Sequence, residues 1–339
     1  MKAYTYILRR LIGLPPLLLG VLTVAFILSH SSQADPLTSI LPERQLSNPE
    51  AVQAAKERWG LDKTPVEQYV IYVKNVATGD LGISFRTKRP VAQDLMARLP
   101  ATLELIVAAL LVGSVSGILL GVLAARMRDT VVDHLVRLFA LLGSSLPVFW
   151  SGLAVLSIFS VQLGILPGPG RLDPRSAPEP SITGLYTIDA LLHGNMAMFW
   201  EASTHLILPA CVLGWSVTGI ISRLVRASML DVLGQDYILM ARAKGANDRR
   251  VLFHHALRNA LIPAITVIGY SFAFLLTGAV LTETIFSWPG IGSYAVESAR
   301  ALDYPAIMGV TMLGGAAFLL TNLMTDLSYV LVDPRIKLQ

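Results

Sequence analysis

The sequence predicts an all-α polytopic membrane protein with about six transmembrane helices, both termini cytoplasmic, and a third span that is kinked or broken. Three observations predict it. Of 339 residues, 53% are hydrophobic and only 15% charged, against about a quarter charged in an ordinary soluble domain. The apolar residues gather in long runs, so the surplus faces lipid instead of filling one oversized core. Lys and Arg concentrate in alternate connecting segments, as the positive-inside rule requires.

A helix needs about 20 mostly apolar residues to cross the hydrocarbon, where every backbone polar group must pair internally. Six segments qualify: 11–28, 103–124, 134–163, 205–224, 260–281 and 306–327. The first carries a passable signal-peptide cleavage site at Ser32-Gln33-Ala34, but its run of 18 residues and its Pro15-Pro16 favour a span. The third is too long for one upright span, and Ser144-Ser145-Leu146-Pro147 interrupts it. Proline removes a ladder hydrogen bond, so this segment is either a kinked or broken helix lining a polar cavity or two half-spans. Ser144, Ser145 and Pro147, together with Glu283, Trp288 and Pro289 after the fifth span, are the candidate lining of a translocation path. Ordinary packing by small residues is the competing reading.

Orientation follows from charge. With the N-terminus inside, 15 of the 27 Lys and Arg fall on inner segments, from Lys2, Arg9 and Arg10 through Arg126 to Arg258 and on to Arg335 and Lys337. The net charge of +4 is too small and scattered for a nucleic-acid partner, whereas membrane lipid is the expected surround. A single cysteine, Cys211, excludes an internal disulfide and a Cys-based metal cage.

The first outer segment, 31–100, is too long for a simple connector. Asn48-Pro49 opens a helix that Gly60 closes, and Thr64-Pro65 opens a second, with Val66, Tyr69, Val70, Val73 and Val76 on one apolar face. The turn Gly79-Asp80-Leu81-Gly82 and the basic run Arg86-Thr87-Lys88-Arg89 precede a short helix expected to end at Pro100. The whole reads as a helical cap, either a packed loop or a docking platform for an external partner. The second outer segment, 164–203, begins Pro- and Gly-rich and reads as irregular.

Between the fourth and fifth spans, Asp236 is expected to cap a helix of about eight residues that Gly245 ends in the left-handed conformation. So short a helix needs docking to be stable. Tyr237, Met240, Ala241 and Lys244 share one of its faces, and Asn247 caps a second helix carrying Arg249 and Arg250. The face suits a partner protein or lipid headgroups equally.

The run from Gln235 to Gly245 (QDYILMARAKG) resembles the coupling-loop motif of binding-protein-dependent ABC importer permeases, and His255 to Pro263 (HALRNALIP) extends it. The form is similar to the dipeptide/oligopeptide/nickel branch, in particular its first permease subunit. Gly79–Ser84, Ala101–Leu105, Leu281–Gly292 and Val332–Ile336 match the same branch. Two departures from the wider family, Leu239-Met240-Ala241 in place of Glu-Ala-Ala and Pro263 eighteen residues after the glycine, are typical of the peptide branch. The resemblance implies residues 1–30 as cytoplasmic N-terminus and first span and 31–100 as a periplasmic cap. It makes 101–339 a permease core whose cytoplasmic coupling loop is 225–259.

It further implies a bacterial inner-membrane, multi-pass subunit with no catalytic residues of its own. ATPase coupling would fall on Asp236, Tyr237, Met240, Ala241, Arg242, Ala243, Lys244 and Gly245. The implied partners are a second homologous permease subunit, two cytoplasmic ATPase subunits that hold ATP and Mg, and a periplasmic solute-binding protein. Peptides lead as substrate, ahead of nickel chelates, glutathione and sugars.

Two other classes fit less well. A membrane-embedded enzyme needs paired catalytic groups, yet Glu104 and Asp326 sit near opposite ends of the membrane. Adjacent His254 and His255 point about 100° apart on a helix and cannot share an ion. An ion-driven transporter calls for mid-span ionisable residues. The chain has no Gly-x4-Gly-Lys-Ser/Thr phosphate loop, so ATP hydrolysis belongs elsewhere. Single cysteines at Lys56, Arg128, Arg175 and Arg249 should take an impermeant label from outside only at the first and third positions. External labelling at Arg249 overturns the orientation.

Overall fold

The protein is described by a computed structural model over residues 3–30, 37, 41 and 43–332. Among the described residues the regular structure is all helix, joined by turns and irregular loops, with one isolated bridge between Ile83 and Pro90. Helix α1 (Ala3–His30) includes Pro15-Pro16, and the cleavage-like Ser32-Gln33-Ala34 lies outside the described residues. After α2 (Glu43–Leu46) comes α3 (Pro49–Trp59), whose Asn48 side chain accepts from the Glu50 amide. Gly60 closes α3 at φ +67°. Helix α4 (Pro65–Ala77) opens on a capping box, with Thr64 and Glu67 each satisfying the other's backbone N–H.

Helix α5 (Val91–Arg126) corrects one expectation, because it runs through Pro100 instead of ending there. The missing rung is tolerated where Leu95, Ala101, Leu105 and Ile106, on either side of it, are all buried and hold the helix in place. Next come α6 (Val131–Ser145) and α7 (Val148–Leu156), the latter running on as a π-helical stretch over Ser157–Gln162. The second outer segment is not wholly irregular. It holds α8 (Tyr186–Leu192), and α9 (Met196–Leu233) already begins within it. The chain continues with α10 (Asp236–Ala243), α11 (Asp248–Arg250), a π stretch at Val251–Ala256 and α12 (Leu257–Gly278). It ends with α13 (Val280–Ile285), α14 (Ile291–Arg300) and α15 (Tyr304–Val332).

Among the described residues, four continuous helical segments are long and apolar enough to cross a membrane: Val91–Arg126, Met196–Leu233, Asp248–Leu276 and Tyr304–Leu323. The helices either side of Leu146-Pro147 make a fifth apolar element, bent by 108°. Leu146 is extended at ψ 136°, as a residue before proline prefers, and the Pro147 carbonyl accepts the first amides of α7. The third apolar segment is therefore broken.

Two compact units divide the chain. The first holds residues up to Thr102 together with Pro289–Leu320. Its organising group is Asp303, fully buried at the start of α15. Asp303 accepts from the Ser84 hydroxyl, from the Phe85 and Arg86 amides at 3.0 and 3.1 Å, and from the Ala306 amide at 3.3 Å. It thus caps α15 and fixes the loop before α5 with one carboxylate. Asp94 on α5 does similar work, accepting from Thr87 and from the Tyr294 hydroxyl at 3.2 Å. Burial, with Asp94 beside it, pushes the Tyr294 phenol up to about 12. Phe26, Phe85, Tyr304 and Met308 pack around this frame with Trp59, Tyr69 and Tyr72 against them.

The second unit, Leu103–Trp288 with Thr321–Leu338, is built around α9. Glycines on α5 at 113, 117 and 121 recur every four residues and meet α9 backbone-close. A methyl added to them would fall 2.7–2.8 Å from Val217, Ile221, Ser222 or Val225. The Ser116 and Thr218 hydroxyls hydrogen-bond across the same seam at 2.6 Å. On its other side α9 receives α6, where Gly219 abuts the Ala140 carbonyl and Gly143 abuts Trp215. Small residues let helices approach where lipid gives apolar side chains no reason to associate. Gly219→Ala would set a methyl 2.4 Å from the Ala140 carbonyl oxygen, an overpacking cost of about 1–3 kcal/mol. Thermal unfolding of the purified protein should shift down for Gly219→Ala. It should stay unchanged or rise for Gly314→Ala, where nothing lies within 4 Å.

Candidate functional site

The segment joining α9 to α12 is organised locally by its own caps. Gln235, not Asp236, is the N-cap of α10, and it makes no side-chain cap bond. Asp236 lies in the first turn, where its carboxylate favours the positive end of the helix dipole, so the expected cap is displaced by one residue. At the other end the Gly245 amide donates to Arg242 O at 2.9 Å and the Ala246 amide to Ala241 O at 3.1 Å. This is a Schellman closure with Gly245 left-handed at φ +82°, as the sequence predicts. Asn247 then accepts from the Arg250 amide at 2.9 Å and starts α11.

Packing fixes α10 by a single side chain. Ile238 is fully buried and is the one buried residue of α10. The Asn259 side-chain amide of α12 donates to the Tyr237 hydroxyl at 2.8 Å, a second tie. Tyr237, Leu239 and Met240 stay largely exposed, the last by 60%. Arg242, Ala243, Lys244 and Gly245 are exposed as well, while Ala241 is half-buried. An eight-residue helix held by these two ties presents Tyr237, Leu239 and Met240 outward as an exposed apolar surface. The helix abuts the π-helical Val251–Ala256, a rare geometry that frequently marks working parts of a protein.

Residues 117–338 match the family described as the binding-protein-dependent transport system inner membrane component, and residues 3–106 match its N-terminal part. The chain belongs to that family. A relative from Escherichia coli (strain K12), described as "Probable D,D-dipeptide transport system permease protein DdpB", is 44% identical over 99% of this chain and 98% of its own length. The dipeptide transport system permease protein DppB of Alkalihalophilus pseudofirmus is 43% identical over 98% and 99% of the two chains. The di/tripeptide permease DppB of Pseudomonas aeruginosa is 44% identical over 99% of both.

In this family member the candidate path residues fall into two groups. Ser144, Ser145, Pro147 and Pro289 are exposed. The Ser144 hydroxyl bonds back to the carbonyls of Ala140 and Leu141, both at 3.1 Å, and so satisfies backbone near the break. Glu283 and Trp288 are instead fully buried, and the Trp288 amide donates to Glu283 O at 2.8 Å. The motif at Val332–Ile336 lies, from residue 333 on, outside the described residues.

Two charge clusters went unread in the sequence. Asp133 of α6, fully buried, takes a two-pronged bond from Arg226 of α9, both distances 2.7 Å, with Arg137 at 3.5 Å. Glu104 of α5 pairs with Arg171, accepts from Thr187 N at 2.8 Å and Thr187 Oγ1 at 2.7 Å, and so does not stand as a lone carboxylate. Arg171 also lies over the Tyr186 ring at 3.6 Å. The partners lie 93 and 67 residues apart, beyond any local pattern. Asp133→Ala strands Arg226 and should cost on the order of 3–5 kcal/mol in thermal unfolding. The double change Asp133→Leu with Arg226→Met should recover most of it, since two apolar groups leave no charge uncompensated.

Proposed function

We propose that this chain is a translocation subunit of an ATP-driven importer, embedded in a bacterial inner membrane and passing di- or oligopeptides from a periplasmic binding protein to the cytoplasm. The supporting observation is α10: a short, Schellman-closed helix at the end of α9 whose Tyr237, Leu239 and Met240 await a partner surface. The positive-inside count supports a cytoplasmic position for that surface. Relatives named for dipeptides, at 42–44% identity over almost the full length, support the peptide substrate.

On this reading two cytoplasmic ATPase subunits, which bind ATP and Mg, receive Tyr237 to Lys244 in a groove. A second homologous permease subunit completes the passage. Residues 31–100 face the periplasm. Movement of α10 passes into α9 through the connection Gly234-Gln235, and α6 follows because Arg226 grips Asp133 and Gly219 abuts Ala140. The break at Leu146-Pro147 ends α6, so its exposed Ser144 and Ser145 would shift against the peptide path. Alternating access of this kind needs no chemistry from the chain itself.

At φ +82° a β-branched side chain at 245 costs on the order of 1–2 kcal/mol or more, although a methyl there meets nothing within 4 Å. Gly245→Val therefore strains the closure of α10 without a clash, and Ala241→Asp puts an unpaired charge beside the docking face. Both variants should reach the membrane and abolish uptake, and in proteoliposomes ATP hydrolysis should lose its stimulation by loaded binding protein. Transport at the wild-type rate by both, with ATPases assembled, overturns the coupling role.

A further inference from the structure

We infer that α4 lies in the bilayer surface, with Val66 and Val70 against lipid acyl chains, and is not a free-standing platform above the membrane. The inference rests on reading α1 as a span. Its depth comes from one contact: the Tyr69 hydroxyl of α4 hydrogen-bonds Thr23 Oγ1 of α1 at 2.7 Å. The Tyr69 ring also meets Phe26 edge-on, centroids 5.3 Å apart. Thr23 lies within the apolar run 11–28, five residues short of its outer end, about 7–8 Å along a helix. Surface-lying amphipathic helices sink their apolar faces by about 5–10 Å. The Thr23 contact holds α4 at that depth.

The pattern of exposure agrees. Val66, Tyr69, Val70, Val73 and Val76 lie along one apolar face in the sequence pattern, but the protein covers only part of it. Tyr69, Val73 and Val76 are half-buried, whereas Val66 is 72% and Val70 58% exposed. Val66, Val70 and the exposed Ala77 lie within about 40° of one another around the helix. They flank the edge where Tyr69 touches α1. That edge continues the exposed apolar surface of α1 itself, at Leu17, Val24 and Ile27. Glu67 and Lys74, both exposed, border the stripe; the Glu67 carboxylate stays in the capping box with Thr64, and the flexible stem of Lys74 carries its charge to headgroup level. Thirteen residues are too few to span the membrane, so the helix lies along its surface. The occupant the stripe fits is the acyl region of a phospholipid, continuous with the lipid around α1.

The test places a fluorescent bimane on single cysteines in the full-length protein, after Cys211, which is exposed, is replaced by alanine. Positions Val66, Val70, Val24 and Gln53 are labelled and reconstituted in ordinary or brominated phosphatidylcholine. Brominated lipid should dim the label at Val66, Val70 and Val24, with iodide in the buffer having little effect. The label at Gln53, exposed on α3, should respond to iodide alone. If Val24 senses lipid while Val66 and Val70 respond to iodide, α4 is not in the bilayer, and the span reading of α1 survives. If Val24 also responds to iodide, the span reading fails and takes this inference with it. Should Val66 and Val70 lose iodide access only when the binding protein is added, the stripe belongs to a protein partner and the lipid assignment falls.

Discussion

The backbone-close seams along α9 are the constraint on which the second unit depends. In lipid, apolar side chains gain nothing by touching one another in place of acyl chains, so association must come from dense packing and interhelical hydrogen bonds. The chain supplies both on one helix. Gly113, Gly117 and Gly121 bring α5 in on one side, and Gly143 with Gly219 bring α6 in on another. Ser116 and Thr218 add a hydrogen bond within the first seam. The helix gripped in this way leads directly into α10 after Gly234-Gln235.

Charge is used sparingly and is satisfied where it is buried. Asp303 collects donors from the loop before α5 while capping α15, so a single carboxylate sets the geometry of two chain segments more than 200 residues apart. Asp133 and Arg226 exchange a planar, two-pronged bond, the arrangement that best offsets the desolvation of both ions. Glu104 and Arg171 are both buried, the arginine more deeply than Arg226, and Tyr186 covers the guanidinium. Each of these contacts locks neighbouring elements together, leaving the motion proposed for transport to the less tightly held α10 and to the break at Leu146-Pro147.

Features set by neighbouring residues were legible in advance. The capping box at Thr64 and Glu67, the Asn48 and Asn247 caps, the left-handed Gly245 and the break before Pro147 all follow from interactions within about five residues. Expectations went astray where packing overrides a local signal. Pro100 was expected to end a helix, but tertiary contacts on both sides carry α5 through it. Asp236 has the right chemistry for a cap, yet the chain entering from Val232 and Gly234 starts the helix one residue earlier. The π stretch at Val251–Ala256 had no signal, because one extra residue in a turn changes no hydrophobic period enough to read.

The sequence alone determined that this is a helical membrane protein, where its long apolar runs lie, which way their charges bias them, and that its most telling short segment is Gln235–Gly245. These follow from hydrophobicity, charge and backbone preference, which act within a few residues. Tertiary structure decided which glycines touch, that Asp133 meets Arg226 and Glu104 meets Arg171, that Glu283 and Trp288 are buried while Ser144 and Ser145 are exposed, and that Ile238 anchors α10. It also split the apolar face of α4 between the protein and its surroundings. Contacts between residues tens to hundreds of positions apart leave no periodic trace in a single chain, so only the packed helices reveal them.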